Sequence, residues 1–364
     1  MRLRILSVAY PFSRVSFDAV GGAEQVVATI DAGLTESGHD SIVIACEGSE
    51  VRGELLPMPR PNGTIDDDVR ARVRDLYRER IEEAIAEHAP DLVHLHGLDA
   101  FHYLPDEAPT LWTLHLPRSF YEPGAFDVLA RDNVVANCVS EAQNRTFADM
   151  TTSLEVVPNG IRLEDYALTD APDSYALVLG RICPEKGQHL AIEAAKLADV
   201  DLLVAGQVHP YVVHEDYFRR DVVPLLDERR RFVGPWDRWQ KRRYLGRARC
   251  LLIPSLAPET SSLVAMEALA SGTPVIAHRV GALVDIVEDG ETGFLVDGVE
   301  EMAEAIHRVS TLSRARCRQR ALERFSATTM VSRYFDLYER RIAPREIHRW
   351  RRSTRFRMGS PSSI

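Results

Sequence analysis

"APETSSLVAMEALASGTPVIA", residues 257–277, reads as a loop, a helix and the opening of a buried strand. Ser261 is placed to cap the helix start, Gly272 falls just past its end, and Pro274 follows close behind. Within it, "LVAMEALA" is apolar on nearly every side except at Glu267, and Glu259 stands just ahead of the first turn. A carboxylate inside a helix built for burial costs on the order of several kcal/mol of desolvation unless a partner satisfies it. That partner is either structural, such as a buried arginine or a helix start, or part of a bound molecule.

The same alternation extends outward in both directions. In the first half, short apolar runs at 4–10, 41–46, 91–97, 110–115 and 134–140 are separated by helical periodicity, as at 23–38 and 69–89. A second series begins at "YALVLG" (175–180) and continues through 201–206, 231–234, 250–255 and 273–278 to "TGFLVD" (292–297). Continuous apolar strands separated by helices predict parallel sheets covered on both faces. Residues 159–174 hold turn formers, acids and Pro172 with little periodicity, and read as a linker. The expected architecture is two α/β domains, 1–165 and 166–328, facing a central cleft. Ligands of such sheets sit beyond the carboxyl ends of the strands.

A chain of 364 residues is long enough for two cores. A formal charge of −10 argues against a general nucleic-acid binder. No apolar run approaches the roughly 18 residues of a membrane span, and the short apolar run that breaks at Pro11 does not suit a signal peptide. Cys46, Cys138, Cys183, Cys250 and Cys317 have no metal or redox spacing. The expected location is cytoplasmic. The tail 345–364 is the exception in charge, since from Arg340 onward there are eight arginines and one acid. It reads as a flexible end, with a weak contact to anionic lipid headgroups as the sharper expectation.

Two places look built for anions. In "LVLGRICPEKG" a strand ends at Gly180, Arg181 follows, and Lys186 stands where the next helix begins. A cation at a helix start is unfavourable unless an anion lies between it and the free amides. In "VGGAEQVV", Gly21 and Gly22 open the first helix, where backbone approaches a ligand closely. No two glycines are two residues apart and no G-x-x-x-x-G-K occurs, so dinucleotide and P-loop readings fail. A cation pair with a carboxylate pair suits a nucleoside diphosphate bearing a polyhydroxylated group. "IDDDV" (65–69) reads as a helix cap rather than a metal site, and His94 with His96 lacks a third ligand for zinc.

These motifs resemble the retaining, nucleotide-sugar-dependent glycosyltransferases of the GT-B fold, in their large family four. "GRICPEKG", "PETSSLVAMEALASGTPVIA" and "VGALVDIVEDGETGFLVD" carry the resemblance in the second half; "GGAEQVV", "SGHDSIVIAC", "DLVHLHG", "LWTLH" and "VPNGI" carry it in the first. It implies two Rossmann-like domains and a C-terminal helix (329–344) crossing back to the first. It further implies that Arg181 and Lys186 bind the donor diphosphate, Glu267 the ribose and Glu259 the transferred sugar. The amides of Ser262 and Leu263 would meet the distal phosphate, with Gly21 and Gly22 closing from the other domain. His115 would stand beside the reacting sugar, and the Gly234–Trp236 turn would meet the base. The nucleotide would then be the missing partner of Glu267.

The implied function is transfer of a hexosyl or N-acetylhexosaminyl group to an acceptor hydroxyl with retention, in polysaccharide or glycolipid synthesis. No metal or other cofactor is implied. Two positions depart from the family pattern: "ETSS" replaces E-x-F-G, and Ala282 replaces the second glycine of "VGG". The alternatives are an epimerase or hydrolase of the same fold, or a non-catalytic nucleotide-sugar-binding scaffold.

Overall fold

A computed structural model describes residues 2–61, 65–150, 153–169 and 171–342. The basic tail and the last two residues of the anticipated crossover helix therefore lie outside the described residues. The first sheet has strands β1 (Arg4–Val8), β2 (Asp40–Cys46), β3 (Glu54–Met58), β4 (Leu92–Leu95), β5 (Thr110–Leu114), β6 (Val134–Cys138) and β7 (Glu155–Val156). Its order is β3-β2-β1-β4-β5-β6-β7, with every neighbouring pair parallel.

The second sheet has β8 (Ala176–Leu179), β9 (Leu202–Ala205), β10 (Arg230–Gly234), β11 (Cys250–Ile253), β12 (Val275–His278) and β13 (Gly293–Val296). Its order is β10-β9-β8-β11-β12-β13, again all parallel. Apart from Arg4 at the start of β1, the central strands β1, β4, β9 and β11 are buried along their length, which is why their sequences run largely apolar without alternation. Two Rossmann-like α/β domains result, as the strand pattern predicts. The first domain gains two edge strands that periodicity did not reveal. β3 carries Pro57, which an edge position tolerates, and β7 has only two residues.

Counted from its own first strand, the second sheet runs 3-2-1-4-5-6, and the first runs the same way with a seventh strand added. The winding reverses between β1 and β4 in one domain and between β8 and β11 in the other. Each reversal opens a crevice at the carboxyl ends of those strands.

The chain crosses between domains twice, and the two crossings bond to each other. Ile161 N donates to Phe325 O (2.8 Å), and Ala327 N donates to Ile161 O (2.9 Å). Gly160 makes this possible, because a Cβ there would stand 2.5 Å from Ser326 O. The helix Ala327–Arg341 then packs on the first domain. It buries Met330, Tyr334, Leu337 and Tyr338, so the aromatic stripe is packing. Val331 sits against Gly33 so closely that a Cβ on Gly33 would lie 2.5 Å from Val331 Cγ1.

Candidate active site

Lys186 and Glu259 meet in the crevice of the second domain. Lys186 ends the turn Pro184–Lys186, after β8. Its Nζ donates to Glu259 Oε1 at 2.5 Å, and Ser255 Oγ, just past β11, donates to the same oxygen at 2.5 Å. Glu259 is also gripped through its backbone. Ala282 N donates to Glu259 O (2.7 Å), and Gly281, at φ +54°, lies so close that a Cβ would stand 2.2 Å from that oxygen. Position 282 itself has φ −70°, so an alanine fits where the resemblance has glycine.

The helix of the opening stretch spans Leu263–Ala270. Its N-cap is Ser262, not Ser261, and no side chain caps it. The first-turn amides are thus without intrahelical partners and point out of the helix end. Ser262 is extended at φ −116°, which needs no glycine. Thr260 reaches across the cleft, donating from Oγ1 to the backbone oxygen of His115 at 2.7 Å. The helix start of the first domain faces this one, since a Cβ on Gly22 would touch Leu263 at 3.4 Å.

Glu267 corrects one expectation. Its carboxylate is only 3% exposed and already has partners inside the chain: Lys241 Nζ donates at 2.6 Å, and the Tyr166 hydroxyl bonds it as well. Burial, with this carboxylate as neighbour, holds the Tyr166 phenol well above its usual range. The structural partner exists, so desolvation alone does not demand a nucleotide. Neither partner was legible in the sequence. Lys241 belongs to a run of basic residues and Tyr166 to the linker, and only folding brings them to Glu267.

Arg181 is half-buried and lies across the cleft from Glu24. Glu24 sits in the first turn of the helix Gly22–Glu36, folded back on Gly21, where a Cβ would clash at 1.9 Å with its Oε2. Burial raises its carboxyl above the ordinary range, opposed by its own backbone N–H, by Arg181 and by Ser13. The first-domain anion site therefore holds a carboxylate of its own. Nothing in the sequence marks Glu24, since an acid in the first turn of a helix is ordinary. The Gly234–Trp236 turn lies at the end of β10; Gly234 O accepts from Gly206 N (2.9 Å), and the Trp236 ring stacks on Tyr244 at 4.6 Å.

His115 follows β5 and is held by a chain of neutral rings. His96 Nδ1 and His115 Nε2 are 3.0 Å apart. The His94 ring lies tilted against His96, with Nδ1 at 2.8 Å from the Tyr338 hydroxyl and Nε2 at 2.7 Å from Thr113 Oγ1. These contacts use the His94 and His96 nitrogens that a zinc site would need, apart from His96 Nε2. Burial pushes His94 and His96 well below the ordinary histidine range and His115 down to about 3. His96 Nε2 is buried without a partner among the described residues. An orphaned lone pair is tolerated better than an orphaned N–H. This assigns the His96 proton to Nδ1, donated to His115 Nε2, and leaves His115 an N–H on Nδ1.

Asp66 accepts from Val69 N and caps the helix Asp67–His88, the structural reading of the acidic triplet. Beside the helix start, a cavity of about 540 Å³ opens at the carboxyl edge of the first sheet. Its lining includes Tyr10, Arg70, Arg74, Asp99, Phe101 and Phe120. Among the described residues no helix is long and apolar enough to cross a membrane.

Comparison with known proteins agrees on the class. Residues 20–165 match the family described as Glycosyltransferase Family 4, and residues 173–311 match Glycosyl transferases group 1. A phosphatidyl-myo-inositol mannosyltransferase of Mycolicibacterium smegmatis is 28% identical over 326 residues, covering 80% of this chain and 81% of that protein. A D-inositol 3-phosphate glycosyltransferase of Kribbella flavida is 35% identical over 215 residues, half of this chain and 49% of that one. The sucrose-phosphate synthase of Thermosynechococcus elongatus superposes with a TM-score of 0.77 at 20% identity, over 93% of this chain and 98% of that one. Anabaena Alr3699/HepE, solved with UDP and glucose, gives 0.72 at 19% identity, over 92% and 99%. At such identities the structural likeness shows the GT-B fold alone.

Proposed function

We propose, for a chain that belongs to the group 1 and family 4 glycosyltransferases, that it moves a hexosyl or N-acetylhexosaminyl group from a nucleoside-diphosphate sugar to an acceptor hydroxyl with retention of configuration. The observation that carries the reading is the convergence of Lys186, Glu259 and two facing helix starts on one cleft. In this reading, donor binding draws Lys186 from Glu259 onto the diphosphate, where Arg181 and the amides of Ser262 and Leu263 join it. Glu259 is then released to the sugar hydroxyls, while Gly21 and Gly22 let the first domain close over the phosphate.

Glu267 exchanges one oxygen's contact with Lys241 for the ribose, and the turn at Gly234 meets the base. Breaking the anomeric C–O bond moves negative charge onto the leaving diphosphate. Fixed donors aimed at that charge are worth about 3–4 kcal/mol each, so the chemistry needs no metal. His115, neutral and with its proton on Nδ1, donates a hydrogen bond to the reacting sugar or leaving group. The acceptor enters from the cavity at Tyr10, Arg70 and Phe101. One relative is named for phosphatidyl-myo-inositol and another for D-inositol 3-phosphate, and Arg70 and Arg74 suit a phosphorylated polyol. The tail beyond residue 344 holds the protein weakly at anionic membrane from the cytoplasmic side.

Thermal shift across UDP-, GDP- and ADP-sugars, followed by transfer assays with inositol phosphates, tests the reading. A donor that stabilises the chain and is consumed only with acceptor supports it. Release of nucleotide or isomerisation of sugar without acceptor would favour the hydrolase or epimerase instead.

A further inference from the structure

The turn that carries Lys186 brings together three donors that spacing does not connect. Cys183 Sγ, a Glu185 carboxylate oxygen and one ring nitrogen of His214 all lie within 4.8 Å of one another. Two of these come from the segment that follows β8, and His214 comes from the helix Val212–Tyr217, beyond β9. Cys183 is buried, and its thiol hydrogen-bonds the Glu185 carboxylate. That bond leaves much of the cluster unsatisfied. Glu185 Oε2 and His214 Nδ1 are both buried without a hydrogen-bond partner among the described residues. His209 Nε2 is in the same condition, with its ring centroid 6.3 Å from that of His214. Buried polar atoms are almost always paired, and here two unpaired ones lie beside a thiol, with a third on the ring next to His214.

We propose that Cys183, Glu185 and His214 form a structural zinc site, with His209 the candidate for the fourth ligand. The donor set is one sulfur, one carboxylate oxygen and imidazole nitrogen, which suits tetrahedral zinc better than the oxygen-preferring magnesium or calcium. As the metal binds, the Cys183 thiol releases its proton to solvent and becomes a thiolate. Thiolate and carboxylate then balance the two charges of the ion, so Arg181 nearby faces a neutral cluster. The site clips the Pro184–Lys186 turn to the Val212–Tyr217 helix. It positions Lys186 and Arg181 and supplies no chemistry of its own. The proposal stands on the cluster alone and does not depend on which sugar is transferred.

The test uses the full chain with any affinity tag removed, loaded with zinc(II), dialysed and assayed for bound metal, in parallel with cobalt(II) loading. The expected result is about one zinc per chain and, with cobalt, a thiolate-to-metal charge-transfer band. Cys183→Ser should abolish the band, and both Cys183→Ser and His214→Gln should reduce bound metal to about one-tenth or less. A wild-type chain that retains no metal, or a Cys183→Ser chain that keeps its full complement, overturns the proposal. Should the variants fail to fold, the wild-type cobalt spectrum decides: a spectrum without the thiolate band also overturns it.

Discussion

The two halves of this molecule share a strand order yet line their facing edges with opposite chemistry. At the carboxyl edge of the second sheet stand charges that can be exchanged: Lys186 on Glu259, and Lys241 on Glu267. At the edge of the first, beside the cavity that Arg70, Arg74 and Asp99 line, stand His94, His96 and His115, which burial holds neutral, and Glu24, whose carboxyl burial raises above its ordinary range. The winding of the sheet decides where a crevice forms. What the crevice does depends on which half carries mobile charge. A charged half suits a diphosphate, and a neutral half beside it offers hydrogen bonds without competing for the phosphates.

Breaking this contrast on the charged side should have the largest effect. Lys186→Met is expected to lower kcat/KM by about 10²–10³-fold, measured in a transfer assay, with the melting temperature little changed because Ser255 still holds Glu259. An unchanged rate would remove Lys186 from the chemistry. Glu267→Ala should come next. It strands Lys241 and Tyr166, costing about 3 kcal/mol in urea unfolding, and weakens donor binding. The double variant Glu267→Gln with Lys241→Met should recover the stability but not the donor affinity. That separation tells a ribose ligand from a merely structural ion pair.

The hinge that lets the halves face each other gives a smaller effect. Gly160→Ala drives a Cβ into Ser326 O and should cost about 2 kcal/mol by the same unfolding measurement.

On the neutral side the signature is pH. His115 is pushed down to about 3 by burial, so the unfolded chain binds its proton first as pH falls. Stability contributed by this group is full above the unfolded value of about 6.5 and is lost progressively toward pH 3. His94 and His96, lowered by burial in the same direction, add to the loss. Unfolding free energies measured between pH 7 and 4 should fall steadily, and His115→Gln should shallow that slope. A slope unaltered by the variant would mean that His115 is not held neutral. The smallest expected change is Tyr338→Phe, which removes one hydrogen bond to His94 and about 1 kcal/mol.

The central strands were legible because parallel strands buried on both faces must run apolar, and β8, β9, β11, β12 and β13 do so within a residue or two at each end. β3 and β7 were not, because edge strands this short carry no pattern that distinguishes them from loops. Lys186 was legible as an ion in a costly place, a cation at a helix start, and Glu259 only through the motif that carries the family resemblance. Their pairing with each other was not, since 72 intervening residues lie between them. Glu24 was invisible as a special residue, because an acid in the first turn of a helix is ordinary until its burial is known.

Apolar periodicity and turn residues by themselves determined two parallel-sheet halves, their cleft and the residue types that would line it, because those patterns report local geometry and burial. Tertiary structure alone decided who meets whom: Lys241 on Glu267, His96 on His115, and Cys183 beside His214. Such pairings depend on how helices and loops distant in the chain stack at the strand ends, and side-chain contact distance leaves no trace in sequence spacing.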